Sequence, residues 1–285
     1  MSSGLAPTAT HLPTHLELPS TDGLPADNSY QPAQWILLKD SVRPHLNQLH
    51  RDGEYLVAVD MGIYFKITKP PLRGCRCPDF FYVPDVPAIL PDSPMRRSYV
   101  LWNEKVPPTL VIELVSDESR GTEHDTTPEE GKFWIYENAI KAAYYAIYDP
   151  DTARIELFHL KGKKYRKVRP DADGRFAIPE MKVKLGTHRE TYESMTFAWL
   201  RFFDENGNMM PLQIDLANQR ADSEKQGRLQ AEERADSAEQ RAKQEKQRAE
   251  QERQERLQAQ QRAEQEKQRA DSLAAKLRDL GVDPS

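Results

Sequence analysis

The chain has 285 residues, enough for one or two domains at roughly 100–200 residues each. Hydrophobic residues make up 38% and charged residues 30%, against roughly 45–50% and about 25% in ordinary globular chains, which speaks against one uniform globule. The net charge of −5 argues against nucleic-acid binding through bulk positive charge, and no apolar run reaches the roughly 18 residues of a membrane span.

Residues 1–30 are rich in Pro, Ser, Thr and Asp and read as a flexible, mostly extended lead-in. They lack a basic segment followed by an apolar run, so no secretory signal is expected. With two cysteines the chain has no disulfide framework, and a cytoplasmic setting is expected. QPAQWILLKDSV (31–42) spaces Trp35, Leu37 and Leu38 as a helix, which Pro44 should interrupt before a second short helix over 45–50. EYLVAVD (54–60) and IYFKITK (63–69) are β-branched and aromatic, and Met61-Gly62 between them predicts a hairpin. PDFFYV (78–83) and SYVLWNE (98–104) are further strands. TLVIELVS (109–116) is almost continuously apolar, as a strand covered on both faces would be.

Pro128, Glu129 and Glu130 suit the first turn of a helix over PEEGKFWIYENAIK (128–141). AAYYAIYDP (142–150) predicts a second buried strand. RIELFHL (154–160) and KYRKVRP (164–170) predict a hairpin, FAIPEMKVKL (176–185) a strand and ESMTFAWLRFF (193–203) a short closing helix. This order gives an α+β, or mixed-sheet α/β, domain over 31–205 and a linker over 206–216.

Beyond it the chain changes character. Residues 217–285 hold no aromatic residue and one proline, and 12 of their 18 apolar residues are Ala. They carry 15 basic and 15 acidic residues, so the whole −5 sits on residues 1–216. RAKQEKQ, RAEQERQ, ERLQAQQ and RAEQEKQ follow one another from Arg241 with a period of seven. A long α-helix over 217–280 follows from Ala, Glu, Lys, Arg and Gln. Two readings stay open: a weak coiled coil on a mostly Ala seam, or a single solvated helix laced by i,i+4 ion pairs. Leu273, Leu277 and Leu280 are the best contact for a homodimer.

Chemistry concentrates in the two buried strands and the helix between them. Glu113 is the one charge in TLVIELVS, and a carboxylate in so apolar a strand is costly unless paired or metal-bound. Its plain alternative is a buried ion pair. Asp79 follows Pro78 at a strand start, where a turn role is the plain alternative. Cys75-x-Cys77 lacks a second ligand pair for zinc. Lys161, Lys163, Lys164, Arg166, Lys167 and Arg169 could contact phosphates, or could simply protect a sheet edge.

The ordered set of Pro78-Asp79, Ile112-Glu113-Leu114-Val115-Ser116, Lys132, Tyr136 and AAYYAIYDP resembles the Uma-type family of restriction endonucleases, a branch of the PD-(D/E)XK nuclease superfamily. The resemblance covers roughly residues 20–205. DGLPADN, VDMGIYF, VSDESRG and the C-terminal LAAKLRDLGVDP resemble its long members with coiled-coil tails. It implies a restriction-endonuclease-like core that hydrolyses nucleic acid, with DNA the expected polymer, and a homodimer for duplex cleavage. It implies Mg²⁺ (or Mn²⁺) on Asp79, Glu113 and the carbonyl of Val115, a hard cation that one or two carboxylates hold. The superfamily lysine two residues after the glutamate is here Val115, so the resemblance implies that Lys132 supplies the ammonium. Tyr136, four residues on, shares its side of the helix. Asp125 and Glu129 lie near the place of a further family aspartate. The alternative is a nuclease-fold scaffold without catalysis that recruits partners through its coiled coil.

Overall fold

The computed structural model describes residues 11–279 apart from 22, 24, 25, 27, 92, 94 and 118. The chain divides into two units, 1–216 and 217–285.

In the first unit, helix α1 (Tyr30–Leu49) precedes β1 (Tyr55–Ala58), β2 (Ile63–Tyr64), β3 (Cys75–Arg76), β4 (Phe80–Pro84) and β5 (Tyr99–Val100). A helical turn, α2 (Leu101–Glu104), leads to β6 (Leu110–Leu114). After a long loop comes α3 (Lys132–Trp134), which continues as one π-helical stretch over Ile135–Ile140. Strands β7 (Tyr144–Asp149), β8 (Arg154–Lys161), β9 (Lys164–Lys167), β10 (Phe176–Ile178), β11 (Val183–Tyr192) and β12 (Met195–Asp204) follow.

The main sheet has six strands in the order β1-β4-β6-β7-β8-β9, antiparallel except for the parallel β6–β7 pair. Strands β10-β11-β12 form an antiparallel sheet, and β3-β2-β5 a small mixed one. The fold is thus a mixed-sheet α/β domain followed by a long C-terminal helix.

Period-two alternation sorts the main sheet into two cores. Phe80, Tyr82, Leu110, Ile112, Ala146 and Tyr148 face α1 and the β10–β12 sheet. Phe81, Val83, Val111, Tyr145 and Ile147 face Ile135, Tyr136 and Ile140. Both faces of β6 and β7 are covered, which explains their unbroken apolar runs. The described part of the lead-in packs onto the domain: the hydroxyl of Tyr64 donates to the carbonyl of Pro19 (2.8 Å) and Leu18 is buried.

Five local expectations change. Helix α1 runs through Pro44 without interruption, because Leu46 beyond it is buried with Leu37, Leu38 and Val42, and that packing outweighs one lost hydrogen bond. Strands β1 and β2 are not a hairpin: β1 pairs with β4, and β2 with β3 and β5. Asp60, at φ 46°, turns the chain from one sheet into the other. SYVLWNE is strand for Tyr99–Val100 and then coils into α2. The helix after β6 starts at Lys132, not Pro128. Glu129 is left-handed (φ 67°), and a Cβ at Gly131 would lie 2.1 Å from the Asp125 carbonyl oxygen. Residues 193–203 are strand: β12 forms a ten-residue ladder with β11, and tertiary pairing overrides a helical-looking spacing of aromatics.

Helix α4 (Gln213–Asp279) begins before 217, where the N–H of Gln213 donates to Asp40 Oδ2 at 2.8 Å. In the second unit the helix is exposed almost throughout and carries i,i+4 pairs such as Glu239–Lys243 and Glu252–Arg256. Leu273 is exposed, whereas the side chain of Leu277 and all of Leu280 lie outside the described residues. No helix among the described residues is long and apolar enough to cross a membrane.

Candidate active site

Strands β4 and β6 are antiparallel, with Phe80 opposite Ile112. One step beyond that register Asp79 comes level with Glu113, and both carboxylates border the same cavity at adjacent strand ends. Both are buried, at 8% and 4% exposure.

Glu113 has the parity of Val111, so its side chain enters the core beneath the π-helical stretch. There it meets the two helix residues singled out from the sequence. The hydroxyl of Tyr136 donates to Oε1, and Lys132 Nζ lies 3.2 Å from Oε2. Asp79 has different donors. The indole N–H of Trp35 reaches Oδ1 at 2.8 Å, and the backbone N–H of Leu114 reaches Oδ2 at 2.7 Å. Helix α1 thus braces one carboxylate and the π-helical stretch the other.

Burial, and then the neighbouring Glu113 charge, push the Asp79 carboxyl up to about 7 against the pull of its N–H donors and Lys132. Burial opposes the Lys132 ammonium, but Glu113 and then Glu123 outweigh it and hold its pKa above the ordinary lysine value. Burial, reinforced by Glu113, holds the Tyr136 hydroxyl protonated, as a donor must be.

A cavity of about 490 Å³ opens beside these groups, bordered by Trp35, Asp60, Arg76, Asp79, Glu113 and Lys132. Val115 is not among its lining residues. Its N–H donates to the Tyr148 carbonyl (2.8 Å) and its side chain packs on the second core. Among the described residues no group of three His, Cys, Asp or Glu side chains is placed to hold a metal ion. Any cation here would rest on two carboxylates plus carbonyl, water or substrate oxygen, which is how Mg²⁺ is commonly held.

Two site residues carried no signal in the sequence. Trp35 read as an apolar helix position, and its indole N–H finds Asp79 only through the tertiary fold. Glu123 sits in a polar loop with no periodicity, yet it is 1% exposed and its Oε1 lies 3.7 Å from Lys132 Nζ. The loop candidates do not fill that place. The Asp125 carboxylate accepts from the backbone N–H and hydroxyl of Thr127, and Glu129 pairs with Lys66.

The basic hairpin lies away from this centre. Lys161 is two residues beyond His159, which is opposite Tyr144 at the start of β7, whereas Glu113 is level with Ile147. The hairpin tip therefore points to the other end of the sheet. Lys164 and Lys167 pair with Glu137 and Glu156, as edge protection would have it.

A family model described as "Uma2: Putative restriction endonuclease" matches residues 31–190. A crystal structure described as a putative nuclease belonging to DUF820 from Anabaena variabilis aligns at 12% identity and a TM-score of 0.33, over 55% of this chain and 76% of that one. No curated protein matches the sequence.

Proposed function

This chain belongs to the Uma2 family of putative restriction endonucleases, and we propose that its Asp79–Glu113 site hydrolyses phosphodiester bonds of nucleic acid, DNA foremost, with Mg²⁺ or Mn²⁺ bound. The observation that carries this reading is the pairing itself: two buried carboxylates at adjacent strand ends, with a single lysine aimed at one of them. The three carboxylates of Asp79, Glu113 and Glu123 against Lys132 and the bordering Arg76 leave the site short of positive charge. Burial, and then the Glu113 charge, raise the Asp79 carboxyl to about 7. The residues present therefore fit a hard divalent cation.

Asp79 and Glu113 would hold the ion, with water or substrate oxygen completing its shell, since Val115 does not border the cavity. When bound, the cation supplies charge neutralisation on the phosphate and a more acidic water. The chain's own residues set the frame. Trp35 and Leu114 fix the Asp79 carboxylate by one N–H each. Each of its oxygens keeps a further lone pair able to accept. Tyr136 holds Glu113 from below. Lys132 replaces the ammonium that the superfamily places two residues after the glutamate, and it would orient the attacking water or stabilise charge on the phosphate. A homodimer remains part of the reading for duplex cleavage, with the C-terminal helices raising the effective concentration of the two sites.

The test is nicking or linearisation of supercoiled plasmid with Mg²⁺ or Mn²⁺, with an RNA substrate in parallel. Cleavage lost in Glu113→Ala is the expected result. The reading fails if the wild type cuts neither substrate and metal binding is the same in Asp79→Ala and Glu113→Ala.

A further inference from the structure

Lys132 has two carboxylates, not one. Its Nζ lies 3.2 Å from Glu113 Oε2 and 3.7 Å from Glu123 Oε1. The two partners are unequal. Glu113 has a donor on each oxygen. Oε1 of Glu123 is buried and has no hydrogen-bond partner among the described residues.

A buried carboxylate oxygen without a donor costs on the order of 1–3 kcal/mol or more. The loop does not need that side chain for its shape. The hydroxyl of Tyr145 holds it through the carbonyl of Glu123, at 3.1 Å. The Asp125 carbonyl holds it by accepting the N–H groups of Phe133 and Trp134 at the start of the helix. Glu123 thus keeps a costly charge beside Lys132 that local structure does not explain.

We propose that Glu123 is a positioning residue, which receives the Lys132 ammonium when Glu113 is engaged by a divalent cation. The inference rests on the function proposed above. A movement of less than about 1 Å would bring 3.7 Å within the roughly 2.8 Å of a charge-assisted hydrogen bond. In that exchange Lys132 never lacks an anionic partner, Glu123 gains its missing donor, and Glu113 Oε2 is freed. No bond forms or breaks, and no proton is transferred. Without the Glu123 charge, Lys132 stays on Glu113 and competes with the cation for the same oxygen.

The test is Mn²⁺ titration of the full chain, followed by electron paramagnetic resonance of the free ion, on wild type, Glu123→Gln, Lys132→Met and the double variant. Thermal unfolding of each checks the fold. With Lys132 present, Glu123→Gln should raise the Mn²⁺ Kd about tenfold. With Lys132→Met in place, the same substitution should raise it about twofold or less, since only the direct charge effect remains. Equal effects in both backgrounds, or no effect with Lys132 present, overturn the proposal. Should the Gln variant not fold, Glu123→Asp repeats the comparison, and its loss of affinity must likewise depend on Lys132. A wild type that binds no Mn²⁺, or whose binding survives Glu113→Gln, overturns the functional reading itself. That outcome is distinct, because it appears before Glu123 is altered.

Discussion

Tyr136 donates its hydroxyl to Oε1 of Glu113 from a fully buried position, so a helix side chain completes the coordination of a carboxylate in the middle strand of the sheet. The bond spans 23 residues of sequence, and it joins the helix after the long loop to the strand before it. Tyr136→Phe removes the donor and leaves the ring in place. A hydrogen bond to a charged group contributes about 1.5–3 kcal/mol, so urea unfolding at neutral pH should show a loss of that order. The bond matters little to Glu113 if the variant unfolds within about 0.5 kcal/mol of wild type.

The raised pKa of Asp79 makes the stability of the metal-free protein depend on pH in a definite direction. Its folded value of about 7 lies above the roughly 3.9 of an unfolded aspartate, so the folded state holds the proton more tightly. That contribution is fully present below about pH 4 and is lost as pH rises through about 7. About three units correspond to at most about 4 kcal/mol. Thermal unfolding in chelator should therefore show stability falling between about pH 4 and 7. Asp79→Asn should flatten the slope, and an unchanged slope in that variant would assign the dependence to other groups.

Trp35 reaches Asp79 across 44 residues of sequence, with its indole N–H at 2.8 Å. Trp35→Phe keeps a smaller aromatic ring in place and removes the one donor to Oδ1. The freed oxygen stays buried, so its orientation is no longer fixed. Cleavage should fall about tenfold while unfolding stability drops by about 1–2 kcal/mol. Retained cleavage with the same stability loss would make Trp35 a packing residue alone.

What could be read in the sequence follows from the range of each signal. Strand β6 was legible because burial on both faces leaves an unbroken apolar run, and Glu113 stood out as its one charge. Lys132 was singled out through the family resemblance, and helical spacing put Tyr136 on its side. Strand β12 was not, because Trp199, Phe202 and Phe203 fall at helix-like intervals. Only the ladder with β11 shows Leu200 and Phe202 on the same face. Nor could local pattern separate β1 from β2, since both are apolar and the turn between them looks like a hairpin. Trp35 and Glu123 depend on contacts between distant segments, which no periodicity encodes.

The same separation of ranges bears on the C-terminal helix. The buried hydrophobic residues of the domain end at Leu212, and beyond it Leu229, Leu257 and Leu273 are exposed. The helix past Ala217 draws its support from helix-forming residues and i,i+4 ion pairs rather than from a core, and such pairs contribute about 0.2–0.5 kcal/mol each. Gln213, whose N–H is bound by Asp40, lies before the boundary at Leu216. A chain ending at Leu216 therefore keeps every residue that is buried among the described ones, and the first turn of α4. It should unfold within about 2–4 °C of the full chain, the shift expected for about 1 kcal/mol in a domain of this size. Its circular dichroism should lose most of the helical signal. A fall in Tm of more than about 10 °C would show that the helix stabilises the domain, through contacts or through association of two copies. Repeating the measurement over a hundredfold range of protein concentration separates those two causes, because only association makes Tm depend on concentration.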